Sequence, residues 1–124
     1  MTSEIVVVNF YALRDPDGFD RALKALVPRV RLQGHPGLKS YRFFGSGLKD
    51  RRLVAIYDGP SAWVGHHDLI MGWQEMVGLR AAARLARVDL YGPLTPPMRD
   101  WVETMGLGKK LHHQGEAIAG FRRG

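Results

Sequence analysis

Two adjacent histidines, His66 and His67, stand between Trp63 and Trp73 in the stretch SAWVGHHDLIMGW, residues 61–73. Read as a helix, each residue advances about 100° around the axis. Trp63, His66, His67, Ile70, Trp73, Gln74 and Val77 then fall in one broad stripe, with Asp68, Met71 and Glu75 mostly elsewhere. Indole, imidazole and amide together make this stripe more polar than a core requires. An imidazole beside an apolar pocket can act as general base on a phenolic or enolic proton. The two indoles can wall a flat aromatic substrate by stacking. The same residues also suit a structural role, with the tryptophans in the core and the histidines on the helix surface. Neighbouring positions diverge around a helix, so at most one of the two histidines points straight into a pocket.

The spacing argues against a metal. Ligands on one helix stand three or four residues apart, Ile70 supplies none, and Asp68 lies off the stripe. No metal site is therefore expected. A second pair, His112 and His113, lies in a Gly-rich basic tail and reads as solvated. The chain of 124 residues has no cysteine, which excludes disulfides, thiol catalysis and Cys-based zinc or iron–sulfur sites. Its apolar share of 45% is ordinary for a globular domain. The net charge of +6 is spread over small pairs such as Arg51-Arg52 and Lys109-Lys110. That pattern reads as an arginine-rich surface that also attracts anionic small molecules, and a nucleic-acid partner is not expected. No apolar run is long enough to span a membrane, and the opening MTSEIVVVNF reads as a strand rather than a signal peptide, so a soluble cytoplasmic protein is expected.

The elements that must position the stripe follow from periodicity. Glu4–Leu13 is β-branched and aromatic and reads as a strand with two apolar faces, one carrying Asn9 and Tyr11. Asp15 and Pro16 open a helix with Phe19, Ala22, Leu23, Leu26, Val27 and Val30 at helical spacing. Pro28 should bend or shorten it, and Gly34 and Pro36 should stop it. Leu38–Gly47 and Arg51–Gly59 form a hairpin, with Tyr41 beside Phe43 on one face and Leu53, Ala55 and Tyr57 together on another. Arg42 shares the opposite face with Ser40 and Phe44, as a counter-ion for an enolate or a dimer-interface ion pair. Ser61 caps a helical region reaching about Ala86, which Gly72 or Gly78 breaks in two, and Arg87–Leu94 is a fourth strand.

The order β-α-β-β-α-β predicts an α+β, ferredoxin-like domain over residues 1–94 with an antiparallel sheet. A C-terminal extension, residues 95–124, begins at PLTPP and contains a short helical segment with Trp101, Val102 and Met105 on one side. It is expected to fray or to pack on a partner subunit. Helices cover only one face of such a sheet, and the strands here are apolar on both. A homodimer with the two sheets packed face to face is the economical solution.

At this point residues 4–94 resemble the dimeric α+β barrel superfamily, in particular the antibiotic-biosynthesis monooxygenase-like domains. The matching pieces are EIVVVNFYAL, HPGLKSYRFFGS and RRLVAIYDGPSAWVGH. The resemblance implies a ligand held between the sheet and the helices. It also implies, in some members, oxygenation of polycyclic phenols or anthrones without metal or flavin. That chemistry needs a base to make the electron-rich carbanion that meets dioxygen. The catalytic residues expected on this basis are His66, His67 and Asn9, and the substrate-binding residues are Trp63, Trp73, Tyr11, Tyr41, Tyr57 and Ile70. No cofactor is expected in that branch. The haem-degrading branch carries an Asn on strand one, then a Trp and a ligand His on the second helix. Asn9 and Trp63 match, but about three turns onward stands Trp73, leaving His66 or His67 as the iron ligand. Three function classes therefore stand side by side: a cofactor-independent monooxygenase for a small aromatic or polyketide-like substrate, a non-enzymatic ligand-binding or dimerisation domain, and a haem-binding or haem-degrading protein. An RNA-binding sheet of the same element order needs a basic-Gly-aromatic run that RRLVAIYDG lacks.

Overall fold

The β-branched run Ile5–Leu13 extends as strand β1, whose alternate residues Ile5, Val7 and Tyr11 are buried on one face. The computed structural model describes residues 3–123. Helix α1, Pro16–Gln33, is capped as the sequence predicts: the extended Asp15 accepts the Gly18 N–H on its Oδ1 at 3.0 Å. Pro28 neither shortens the helix nor ends it. Buried Phe19, Leu26 and Val30 hold α1 to the sheet on both sides of that missing donor, and Gly34 closes the helix with an N–H to the Val30 carbonyl at 2.8 Å.

Strands β2, Leu38–Phe44, and β3, Asp50–Tyr57, form the expected antiparallel hairpin. The helical region that follows divides into α2, Pro60–Ile70, and α3, Gln74–Ala82. The break falls at Gly72, while Gly78 stays inside α3. Gly59 takes the cap position expected of Ser61, because Pro60 with its preset φ and missing N–H occupies the first helical position. Strand β4, Ala83–Tyr91, starts four residues before the expected Arg87. Helix α4, Pro96–Thr104, and strand β5, Leu111–Gly115, complete the chain.

The sheet runs β2-β3-β1-β4-β5. Its first four strands are antiparallel neighbours in the ferredoxin-like order, and β5 pairs parallel to β4, so the sheet is mixed. The C-terminal segment thus packs on this chain's own sheet, with Met98 and Val102 of α4 buried in the common core. Residues 116–123 carry no regular element, leave Ile118 and Phe121 exposed, and pair Arg122 with Glu4. A register shift between Phe10 and Tyr11 against β4 inserts Ala86 as a bulge. The bulge turns Leu85 to the same side as Val88 and Leu90, toward the helices. On the other side of the sheet, Val6, Val8, Val54 and Ile56 form an apolar, half-buried patch. Among the described residues, no helix is long and apolar enough to cross a membrane.

Candidate functional site

Between the inner sheet face and α2, α3 and α4 lies a cavity of about 370 Å³. That is the low end of the range for small-molecule sites. The β1 alternation brings Val7, Asn9 and Tyr11 to it, β2 and β3 bring Tyr41, Leu53 and Tyr57, and α2 brings Trp63, His66, His67 and Ile70. Eight of the nine residues singled out from the sequence therefore meet at one place. Trp73 does not. The Gly72 turn breaks the helical phase, so Trp73 becomes the cap residue of α3 and packs under the Arg29 guanidinium, 4.0 Å from its ring centre. Val77, expected on the same stripe, is exposed for the same reason.

Both histidines line the cavity, because it wraps around α2 from the sheet to α4. His66 is buried against the sheet, its ring 5.5 Å from Tyr41 and 5.7 Å from Tyr57. Burial first, and the neighbouring His67 and His35 after it, push its pKa down to about 3. The His67 ring lies 4.3 Å from Trp63, 5.0 Å from Trp101 and 6.1 Å from Tyr57. Burial pushes its pKa down to about 4, against an upward pull from the Trp63 carbonyl and the Asp68 charge. Its Nδ1 lies 2.6 Å from the Trp63 carbonyl oxygen. A carbonyl only accepts, so Nδ1 carries the proton and the lone pair is on Nε2. At neutral pH the site holds two uncharged imidazoles.

The polar atoms of this cavity are under-satisfied. Asn9 donates from Nδ2 to the Tyr11 hydroxyl at 3.4 Å, and its Oδ1 has no partner among the described residues. The Trp63 indole N–H and His66 Nδ1 are likewise buried without one. Each such atom costs about 1–3 kcal/mol while unpaired. A ligand with complementary groups removes that cost. The Tyr11, Tyr41 and Tyr57 phenols are held protonated, chiefly by burial, so they are available as donors.

Sequence reasoning missed one whole wall. Trp101 and Val102 come from α4, Met105 from its C-cap position, Leu107 and Lys110 from the loop after it, and Leu111 from β5. Trp101 donates its indole N–H to Asp68 at 3.0 Å and sets its ring edge-on to Trp63 at 5.4 Å. The helical spacing of Trp101, Val102 and Met105 was visible in the sequence. Nothing there shows the parallel pairing of β5 that returns the segment to the site. His112 and His113 sit on β5, exposed, with His113 Nε2 2.7 Å from the Gly92 carbonyl oxygen. Among the described residues no three His, Asp or Glu side chains converge as a metal site.

No protein-family model and no curated protein matches the chain. Solved structures do. MupZ from Pseudomonas fluorescens aligns over 99% of this chain and 91% of its own, at 16% identity and a TM-score of 0.66. SnoaB, a cofactor-independent oxygenase from Streptomyces nogalater, aligns over 75% of this chain and 95% of its own, at 14% identity and a TM-score of 0.63. A Caulobacter crescentus protein provisionally assigned as an antibiotic biosynthesis monooxygenase aligns over 76% and 92%, at 15% identity and 0.63. At these identities the fold is what is shared. The chain has the ferredoxin-like fold of the antibiotic biosynthesis monooxygenase-like dimeric α+β barrel proteins, as its strand and helix-entry motifs implied.

Proposed function

We propose that the cavity is the active site of a cofactor-independent monooxygenase acting on a small aromatic or polyketide-like substrate, with His67 as the base. One observation carries the assignment: the Trp63 carbonyl fixes the His67 proton on Nδ1 and leaves Nε2 free to accept, in an aromatic cavity. The fold shared with an oxygenase that needs no cofactor supports the same reading.

In this reaction His67 removes a proton from an activated CH2 of the substrate. The resulting carbanion, stabilised as an enolate, passes electrons to dioxygen. A peroxide anion forms at that carbon, takes the proton back from the His67 imidazolium, and the hydroperoxide loses water to leave a carbonyl. One oxygen atom ends in the product and the other in water, and the CH2 carbon supplies all four electrons, so no external reductant enters. A base of pKa about 4 takes such a proton uphill. Attraction between imidazolium and enolate in a site of low dielectric lowers that cost. The unpartnered Trp63 N–H is the donor available to the enolate oxygen. Oxygen uptake with anthrone tests the proposal. His67→Ala should lose about a hundredfold or more of the rate, and His66→Ala less. Wild-type rates in both folded variants would sink it.

A non-enzymatic ligand-binding domain uses the same cavity and unsatisfied atoms, and it predicts binding of flat aromatics without oxygen uptake. The haem reading fits less well, because the position where that pattern sets its iron ligand is Trp73, outside the cavity. No step through haem is derived. The assembly proposed for either function is a homodimer, with the half-buried patch around Val8 and Val54 packed against its copy.

A further inference from the structure

We propose that Trp101, anchored on Asp68, is a positioning residue for His67, holding its imidazole with the proton on Nδ1 and Nε2 free. The role rests on reading His67 as the base, and it gives the C-terminal segment a part in the chemistry.

The hold that α2 has on this ring is weak by itself. His67 Nδ1 lies 2.6 Å from the carbonyl oxygen of Trp63, four residues back. In the helix ladder that oxygen is also the acceptor for the His67 backbone N–H. A side chain that bonds back to its own helix in this way competes with the ladder, so packing must choose the rotamer. Two indoles do so. Trp63, on α2 itself, lies 4.3 Å from the imidazole, centre to centre, at 41° between planes. Trp101, on α4, lies 5.0 Å away at 57°. It is the indole that reaches His67 from outside its own helix. An imidazole that leaves this rotamer exchanges the Trp63 carbonyl for water, and either ring nitrogen can then carry the proton.

Trp101 is itself fixed. Its indole N–H donates to Asp68 Oδ1 at 3.0 Å, and its ring stands edge-on to Trp63 at 5.4 Å. Among the described residues no other side-chain hydrogen bond joins α4 to α2. Buried Met98 and Val102 set the helix against the core, while Asp68 sets the indole. Asp68 directly follows His67, and its negative charge favours the imidazolium that forms when His67 takes a proton. That cation lies within the ~6 Å reach of cation–π attraction to both indoles. The titratable groups in ring contact with His67 are His66 and Tyr57, both uncharged at neutral pH, while Arg80 and Lys110 line the same cavity.

Nitrogen NMR of ring-labelled histidines tests the role apart from turnover. Wild type should show a single Nδ1-protonated form of His67 between about pH 5 and 8. Trp101→Leu and Asp68→Ala should show mixed tautomers, with the ring titrating nearer its ordinary value of about 6.5 as water reaches it. Asp68→Asn keeps an acceptor for the indole and should keep the single tautomer, while the lost charge lowers the titration further. Asp68 is exposed, so neither change at that position disturbs the core. In oxygen uptake with anthrone, kcat should fall roughly tenfold or more in Trp101→Leu and Asp68→Ala, with Asp68→Asn in between. A single Nδ1–H form persisting in both Asp68→Ala and folded Trp101→Leu would overturn the positioning role. So would an unchanged kcat in variants whose tautomers are mixed. No oxygen uptake by the wild type would refute the base reading, and the NMR result would still decide whether Trp101 holds the ring.

Discussion

At the scale of single residues, the neutral imidazoles are the most exposed to test. An unfolded histidine titrates near 6.5, and His66 and His67 fall to about 3 and about 4 in the folded chain. Between those values the unfolded chain binds protons that the folded one does not. Their contribution to stability is therefore full above pH 6.5 and is lost as pH falls toward 4. For His67 alone the linkage amounts to about 3 kcal/mol. Thermal unfolding from pH 7 to pH 5 should show a falling Tm, with a flatter profile in His66→Gln/His67→Gln. An unchanged slope in that variant would place the titration elsewhere. Most of the residues expected at the site do line the cavity, down to Asn9 and the three tyrosines, while Trp73 does not. Their pairing was not legible in the sequence, because a hydrogen bond such as Asn9 to Tyr11 depends on rotamers that the rest of the core sets.

At the scale of elements, α2 is held in place by a close approach at Gly65. A Cβ there would meet the His35 ring at 2.7 and 2.8 Å, and that ring is tied down by the Gly37 N–H on its Nδ1 at 2.9 Å. Helix propensity favours alanine by about 0.5–1 kcal/mol, yet forcing the ring aside costs about 1–3 kcal/mol. Gly65→Ala should therefore destabilise the protein in chemical denaturation. In a His35→Ala background the same change should cost less, and an additive double-mutant cycle would refute the contact. Helix α4 is the other element with a checkable role. Trp101→Phe removes the hydrogen bond to Asp68 and keeps a ring over Trp63, so it should cost about 1 kcal/mol. Trp101→Ala also opens the wall and should weaken ligand binding as well as stability. The existence of these helices followed from spacing, whereas the loss of Trp73 from the stripe followed from a turn of three residues that periodicity does not register.

For the whole molecule, the uncovered sheet face carries the proposal of a dimer. Val6, Val8, Val54 and Ile56 are half-buried there, flanked by Phe10, whose ring lies under Arg52. Sedimentation should give a dimer for the wild-type chain and a monomer for Val8→Arg, since an arginine in the middle of the apolar patch loses hydration without gaining a partner. A wild-type monomer at micromolar concentration would refute the packing. Tyr57, the sole aromatic residue of β3, points into the cavity and away from this face, so base stacking of the RNA-binding kind has no platform on that strand.

The sequence by itself determined the strand and helix order as far as β4, the two apolar faces of β1, and the polar character of the α2 stripe. All of these follow from periods of two and 3.6 residues, which act over a few neighbours. Only the tertiary structure decided which sheet face meets the helices, that both histidines reach one cavity, and that the C-terminal segment closes it. Those outcomes turn on pairings between distant residues: β5 beside β4, Trp101 on Asp68, Lys110 beside Val88. A local pattern carries no record of such partners, because their free energy arises only when the sheet has brought them together.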